Sequence, residues 1–206
     1  MCVLDLSKLC LYQFYYNILK VRYGGRVRLC YTDTDSILVQ IQTDDINADL
    51  IDMADQFDFS DYPANHPVRQ FLGEEKIKAN KKTPGLFKDE CNGKIIMEFI
   101  GLRPKMYSIL KAGDDATNSE HGIRKAKGVP SKVVKKEFHH ERYNKALFDP
   151  KRKDKVTFYT IRSDKYSIYT LEVTKVRLSP MDDKKWIAPN GITILAHGNY
   201  RLRQTR

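Results

Sequence analysis

Arg26-Val27-Arg28-Leu29-Cys30-Tyr31-Thr32-Asp33-Thr34-Asp35-Ser36-Ile37-Leu38-Val39-Gln40-Ile41-Gln42 reads as two short strands joined by a polar tip. Val27, Leu29 and Tyr31 alternate with charged or small residues before the tip, and Ile37, Val39 and Ile41 do so after it. That is the period of half-buried strands, and it predicts a β-hairpin over 26–42. In extended backbone, residues i and i+2 project to the same side. The spacing therefore predicts Asp33 and Asp35 aimed at one shared volume, with Thr34 pointing away. Two like charges held that close repel unless a cation lies between them. For a bare Asp-x-Asp, a polar Asx-type turn is the blander reading.

The whole hexapeptide Tyr31–Ser36 is more specific, because it resembles the Tyr-x-Asp-Thr-Asp-Ser motif that forms a hairpin tip in the palm of family B DNA polymerases. Downstream, Lys105-x-Tyr107 within Arg103-Pro104-Lys105-Met106-Tyr107 resembles the KxY element that grips the primer end in that family, in the same order. Leu4-Asp5-Leu6-Ser7-Lys8 through Tyr16 resembles the helix preceding the hairpin in protein-primed members of viral and transposon type. The nearest likeness is to the polymerase of virus-like, self-synthesising DNA transposons. Lys125-Ala126-Lys127-Gly128-Val129 resembles a basic, glycine-containing element at the start of the family's thumb.

The resemblance implies an α+β fold. Its palm part would carry an antiparallel catalytic hairpin and packed helices over 1–111, and a small thumb with a helix and a β-ribbon would follow over 112–206. It implies a DNA-directed DNA polymerase that extends a DNA or protein primer by nucleotidyl transfer with two Mg²⁺ ions, Mn²⁺ being a substitute. Such ions lie about 3.5–4 Å apart, activating the primer 3′-hydroxyl and stabilising the leaving pyrophosphate. Asp35 would bridge the metals and Asp33 would support them or the primer end. Tyr31, Thr34 and Ser36 would brace the turn. Lys105 would meet the primer-terminal phosphate and Tyr107 the minor groove, while Lys125, Lys127 and Lys132 would add contacts to the DNA backbone. The implied partners are primer-template DNA, deoxynucleoside triphosphates and a terminal protein primer, at a nuclear or viral replication site.

The family also carries an upstream motif with a second metal-binding Asp, a Lys- and Asn-bearing helix that contacts the incoming nucleotide, and commonly an exonuclease. None of these is present. Asp5-Leu6-Ser7 lacks the Ser-Leu-Tyr-Pro continuation of the upstream motif and lies too close to the hairpin. Asp5 reads instead as an acidic residue favoured near a helix N-terminus. The expectation is a C-terminal piece of a polymerase, not self-sufficient in synthesis.

Composition is compatible with that expectation. The 206 residues suffice for one large or two small domains. No apolar run reaches membrane-spanning length and no basic-then-apolar leader is present, so an intracellular, non-membrane protein is expected. Cys2, Cys10, Cys30 and Cys91 show no CxxC spacing and read as reduced, partly buried thiols. The formal charge of +10 is uneven: Asp44 to Asp61 holds seven Asp and no Lys or Arg, so the remainder carries +17. Arg124 to Lys155 holds twelve Lys or Arg against four Asp or Glu, an electrostatic footprint suited to phosphate backbones. Charge runs are also commonly plain solvated faces.

Along the chain, helical spacing of Leu4, Leu11, Tyr15, Ile18 and Leu19 predicts a helix to Tyr23, ended by Gly24-Gly25. A second helix is expected over Asp45–Phe57, with Ile46, Leu50, Met53, Ala54 and Phe57 inward and Asp49, Asp52 and Asp55 facing water. Its acids lack the EF-hand pattern. Residues 61–84 read as irregular chain punctuated by Pro63, Pro67 and Pro84. A hairpin is expected from Gly85–Glu90, turning at Asn92-Gly93, to Lys94–Ile100. Tyr107–Leu110 belongs to a strand, and Ala112–Gly122 reads as a mobile loop. Ser131 is expected to cap a helix to about Lys145, with Val134, Phe138 and Tyr143 buried. His139-His140 lacks the i+4 partner of a zinc pair. Val156–Leu178 predicts a two-stranded ribbon broken near Ser163-Asp164. Turns follow at Asp182–Lys185 and Pro189–Gly191, then an Arg-rich tail over Tyr200–Arg206.

Two other function classes compete. A reverse transcriptase uses adjacent carboxylates in its hairpin, whereas Thr34 separates them here. A catalytically incomplete remnant acting only as a nucleic-acid-binding module is compatible with the basic segment and the missing upstream motif, but the retained Asp33-Thr34-Asp35-Ser36 and Lys105-x-Tyr107 argue against long decay.

Overall fold

A computed structural model describes residues 2–149, 155–181, 185–196 and 198–203. The chain is a mixed α+β protein built from small, mostly antiparallel sheets. It divides into two compact units, Met1–Ile96 and Met97–Arg206.

The first unit opens with α1 (Cys2–Gln13), which passes through a π-helical stretch (Phe14–Leu19) into α2 (Lys20–Tyr23). The wider π turn lets Phe14, Tyr15, Leu19 and Tyr23 all reach one core. Leu4, one of the apolar residues at helical spacing, is exposed together with Leu6 and Leu9. Gly24 at φ +56 stops the helix, and the Lys20 ammonium donates to the Gly24 and Val27 carbonyls across the corner. Strands β1 (Val27–Asp33) and β2 (Ser36–Ile41) then form the expected hairpin.

Helix α3 (Ile46–Asp52) is shorter than its apolar spacing suggested. Asp45 caps it by accepting from the Asn47 and Ala48 amides, and a 3-10 turn (Ala54–Gln56) leads into β3 (Phe57–Asp58). Asp49 does not face water. It is half-buried, accepts from the Thr43 hydroxyl at 2.5 Å, and pairs with Arg22 at 2.6 Å. The stretch read as irregular holds α4 (Pro67–Asn80), with His66 capping it and Pro67 in its first turn, where a missing N–H costs nothing. Gly73 at φ +75 kinks it.

The hairpin expected across Asn92-Gly93 does not form. Asn92 and Gly93 do turn with positive φ, and the Asp89 carboxylate accepts from the Cys91 and Gly93 amides. The preceding strand, β4 (Phe87–Lys88), pairs in parallel with β3 instead, placing Phe87 against Phe14 at 4.2 Å between ring centroids. Stacking of that half-buried ring on Phe14 outweighs the local hairpin signal.

In the second unit, β5 (Ile96–Arg103), β6 (Met106–Lys111) and β7 (Ile123–Ala126) form a three-stranded sheet in that order. One face packs on α5 (Ser131–Glu137) and α6 (His140–Phe148) through Ile100, Leu102, Met106, Ala126, Val134, Phe138 and Tyr143. The single helix expected from Ser131 is thus two, broken at Phe138, whose ring is fully buried. Pro130 stands at the cap position and Ser131 begins the helix.

The loop expected to be mobile, 112–122, joins two paired strands and is closed by hydrogen bonds. The Arg124 guanidinium donates to the Ser119 and His121 carbonyls, and the Glu141 amide donates to Ala116. The ribbon forms as β8 (Lys155–Asp164) and β9 (Ser167–Val176), turning at Lys165-Tyr166 rather than Ser163-Asp164. A small pair, β10 (Lys185–Ile187) and β11 (Ile194–Ala196), follows, then a 3-10 turn (Tyr200–Arg203). The turn read at Asp182–Lys185 and the tail to Arg206 lie largely outside the described residues. Among the described residues, no helix is long and apolar enough to cross a membrane.

Candidate functional site

The hairpin carrying Asp33 and Asp35 is anchored at its base. Val27, Ile37, Val39 and Ile41 pack with Phe14, Tyr15, Leu19 and Tyr23. Towards the tip its register changes: Val27 pairs with Ile41 and Leu29 with Val39, but Tyr31 pairs with Leu38 and Asp33 with Ser36, leaving Cys30 as an extra residue. Cross-strand partners share a face. Leu29 therefore lies on the face of Val39 and Ile41, whereas Tyr31 and Asp33 lie on the opposite one. The alternation that put Val27, Leu29 and Tyr31 on one side does not survive the bulge, which re-aims the side chains beyond it.

The tip is a two-residue turn, Thr34-Asp35. Thr34 sits at φ +62, a left-handed conformation that a β-branched residue seldom adopts. The Asp35 amide donates to the Asp33 carbonyl at 2.7 Å, and the Ser36 hydroxyl donates to the same carbonyl at 3.2 Å. Thr34 does not point away, since its hydroxyl donates to Asp33 Oδ1 at 3.2 Å. Asp35 belongs to the turn and not to a strand, so the same-side rule for extended backbone does not apply to the pair. Asp33 is half-buried and Asp35 exposed. The arrangement presents carboxylate oxygens at a strained apex, a chemistry suited to a hard divalent cation. Among the described residues, no group of three or more His, Cys, Asp or Glu side chains is placed to hold a metal.

The second unit carries the remaining candidates. Pro104 and Lys105 form the turn between β5 and β6, with Lys105 exposed at φ +60. Lys105 is thus in a turn, not in a strand. Tyr107 is half-buried on β6, its ring 6.1 Å from that of Phe99. In the β6–β7 ladder Tyr107 lies opposite Lys125, and the Lys127 amide donates to the Lys105 carbonyl at 2.9 Å. Lys125 and Lys127 are exposed, and Lys132 is exposed on α5.

The inner face of the same sheet holds a buried polar group. Ser108 Oγ is 2.8 Å from His140 Nδ1, and His140 Nε2 is 3.4 Å from a Glu98 carboxylate oxygen. Ser108 is wholly buried, so this cluster ties α6 to the sheet and offers no reachable nucleophile. Burial, together with the Arg142 charge, holds the neighbouring His139 below its ordinary pKa, a setting that disfavours its charged form. Of the thiols, Cys91 is buried and Cys10 half-buried, while Cys2 and Cys30 are exposed.

Two features escaped the sequence reading. The Cys30 bulge left no trace in the alternation, which Tyr31 continues as though unbroken. Phe99 was passed over as one apolar strand residue among several. The one available signal was the matching i, i+2 spacing of Lys105-x-Tyr107 and Lys125-x-Lys127, which suits two adjacent strands. Compared with known proteins, the chain matches no protein-family model, no curated protein and no solved structure.

Proposed function

We propose that this chain is the C-terminal palm and thumb part of a DNA-directed DNA polymerase of the protein-primed family B type, acting in viral or transposon DNA replication. The observation that carries this reading is the hairpin tip. Tyr31–Ser36, whose residues resemble the family's motif, occupies a bulged hairpin whose turn stores left-handed strain at Thr34. Strain of this kind costs about 1–3 kcal/mol and concentrates at functional sites. Lys105, at the other motif, is left-handed too, as are Lys82, Asn92, Lys165 and Tyr166 elsewhere, so the motif residues and not the strain alone carry the reading.

Asp33 and Asp35 would hold Mg²⁺, or Mn²⁺ in its place, with Asp35 the more accessible ligand. When bound, the metal pair supplies charge neutralisation at the reacting phosphate and an activated hydroxyl. Thr34 orients the Asp33 carboxylate and Ser36 closes the turn. Lys105 offers a cation to a primer-terminal phosphate, and Tyr107 an aromatic edge and hydroxyl to the groove beside it. The chain lacks the second acidic motif and the nucleotide-binding helix, so it is a partial enzyme.

The test is primer extension with Mg²⁺ and four deoxynucleotides. The 206-residue chain is expected to bind primer-template without extending it, and extension is expected only when the missing acidic and nucleotide-binding elements are supplied. Robust incorporation by the chain alone overturns the partial-enzyme reading. A nucleic-acid-binding module without catalysis is the second reading, favoured by the exposed lysines of the β6–β7 ladder, which need no contribution from the hairpin. It prevails if the completed protein binds DNA and incorporates nothing.

A further inference from the structure

Sequence order separates Lys105 and Tyr107 from Lys125 and Lys127 by a loop. The ladder removes that separation. Met106 pairs with Ala126, Tyr107 with Lys125 and Ser108 with Arg124, and just beyond the ladder the Lys127 amide donates to the Lys105 carbonyl at 2.9 Å, joining the turns that carry the two lysines. Burial follows the same alternation. Met106, Ala126 and Ser108 are buried on the helix-packed face. Lys105, Lys125 and Lys127 are exposed, and Tyr107 is half-buried. Partners across a ladder share a face, which sets Lys125 beside Tyr107, while Lys105 and Lys127 stand in the turns at that end of the ladder.

Phe99 completes the surface. Its neighbours Ile100 and Leu102 enter the core, which puts Phe99 and Gly101 on the outer face. A Cβ at Gly101 would come within 3.0 Å of the Phe99 ring, so the ring lies over the glycine. From there it meets Tyr107 at 6.1 Å and limits the directions the tyrosine can take.

We propose that the outer face of the β5–β6–β7 sheet is one DNA-strand-tracking surface, in which Lys105, Lys125 and Lys127 hold successive phosphates around Tyr107 and Phe99 is the positioning residue for the tyrosine ring. Charge complementarity selects the occupant. Three ammonium groups beside a partly exposed aromatic, without an acid among the five residues, suit a polyanion that also offers bases or sugars to an aromatic edge. The inference rests on the polymerase reading and adds to it. Lys125 and Lys127 belong to the surface that holds the primer end, not to a diffuse basic surface with Lys132.

Binding of the full chain to three DNA probes over a salt series tests this: a recessed 3′-end primer-template, a blunt duplex and a single strand. Lys125→Gln and Lys127→Gln are expected to weaken the recessed-end probe by about three- to tenfold more than the blunt duplex. Lys135→Gln, on the exposed side of α5, weakens all probes alike. The Tyr107→Ala and Lys125→Gln losses are expected to be sub-multiplicative when combined, as for neighbours that share one ligand. Phe99→Leu removes the preference for the recessed end without changing the salt slope, and Phe99→Tyr restores it.

A wild-type chain that binds none of the probes overturns the polymerase reading and this inference with it. A wild-type chain that binds them, with Lys125→Gln indistinguishable from Lys135→Gln and multiplicative with Tyr107→Ala, overturns this inference alone. A Phe99→Leu chain that keeps the recessed-end preference overturns the positioning role.

Discussion

At the scale of single residues, Thr34 is where local strain and proposed chemistry meet. Its φ of +62 suits glycine far better than a β-branched side chain. Thr34→Gly is therefore expected to stabilise the chain by about 1 kcal/mol. In a completed enzyme it should also lower synthesis, because the hydroxyl on Asp33 is lost. Denaturant melts and primer extension on the same variant check both halves, and a variant with unchanged stability would remove strain from the account. Asp35→Asn in the completed enzyme is expected to abolish incorporation, since a neutral amide cannot balance the metals' charge, and Asp33→Asn to reduce it severely. Near-normal turnover by Asp35→Asn would move the active site elsewhere. Gly93 bears on folding alone. At φ +80, an added Cβ would lie 2.6 Å from the His66 ring, so Gly93→Ala should cost about 1–3 kcal/mol, read as a lowered urea midpoint.

At the scale of elements, the first unit depends on carboxylates that tie its helices and strands together. Asp58, buried at the end of β3, is disfavoured as a charge by burial. The Lys82 and Ser60 amides, the Ser60 hydroxyl and the Lys88 charge outweigh that and hold its carboxyl below the ordinary value of 3.8. Asp49 is treated likewise: burial opposes its charge, while Thr43, Arg22 and Tyr23 favour it more strongly. Burial, with Asp49 beside it, pushes the Tyr23 phenol up to about 12. A depressed carboxyl stabilises the fold above its unfolded pKa and loses that contribution as pH falls through its folded value. A raised phenol stabilises below its unfolded value near 10 and loses that as pH climbs towards 12. The first unit should accordingly hold a stability plateau between about pH 5 and 9 and weaken on both sides. Thermal melts across that range, with Asp58→Asn flattening the acid limb, test it. Arg22→Ala should cost about 1–3 kcal/mol by stranding half-buried Asp49. Lys145→Ala, which breaks an exposed i, i+4 pair with Glu141, should leave the melting transition essentially unchanged, because solvent screens the pair.

At the scale of the whole molecule, charge is segregated. The acidic tract Asp44–Asp61 lies in the first unit, and the basic run that starts at Arg124 lies in the second. Part of the acidic tract is internally engaged: Asp49 and Asp52 hold Arg22, Asp55 pairs with Lys76, and Asp61 pairs with Lys88. It is therefore as much a structural device as a solvated face. Affinity for duplex DNA is expected to fall steeply with salt, and each lysine removed from a phosphate contact should lower the logarithmic slope by about one unit. Lys132→Ala, on α5 and off the ladder, should do this equally for every probe. Anisotropy titrations over a salt series measure it, and a slope that Lys132→Ala leaves unchanged would remove α5 from the contact.

Residue order alone determined what short-range physics controls. The hairpin over 26–42, the stop at Gly24, the existence of the ribbon and the buried Val134, Phe138 and Tyr143 all follow from side-chain period and turn chemistry within a few residues, whereas the ribbon turns two residues later than expected. Tertiary structure decided whatever depends on a distant partner. Pairing of β4 with β3 overrode the Asn92-Gly93 hairpin, because Phe87 gains the Phe14 ring only in that arrangement. The bulge at Cys30 moved Tyr31 and Asp33 to the other face of the hairpin. Arg22 drew Asp49 out of solvent. The ladder between β6 and β7 brought Lys125 opposite Tyr107 across a loop whose length says nothing of register. Register and burial are settled by long-range packing, and a local pattern carries no record of which strand lies alongside.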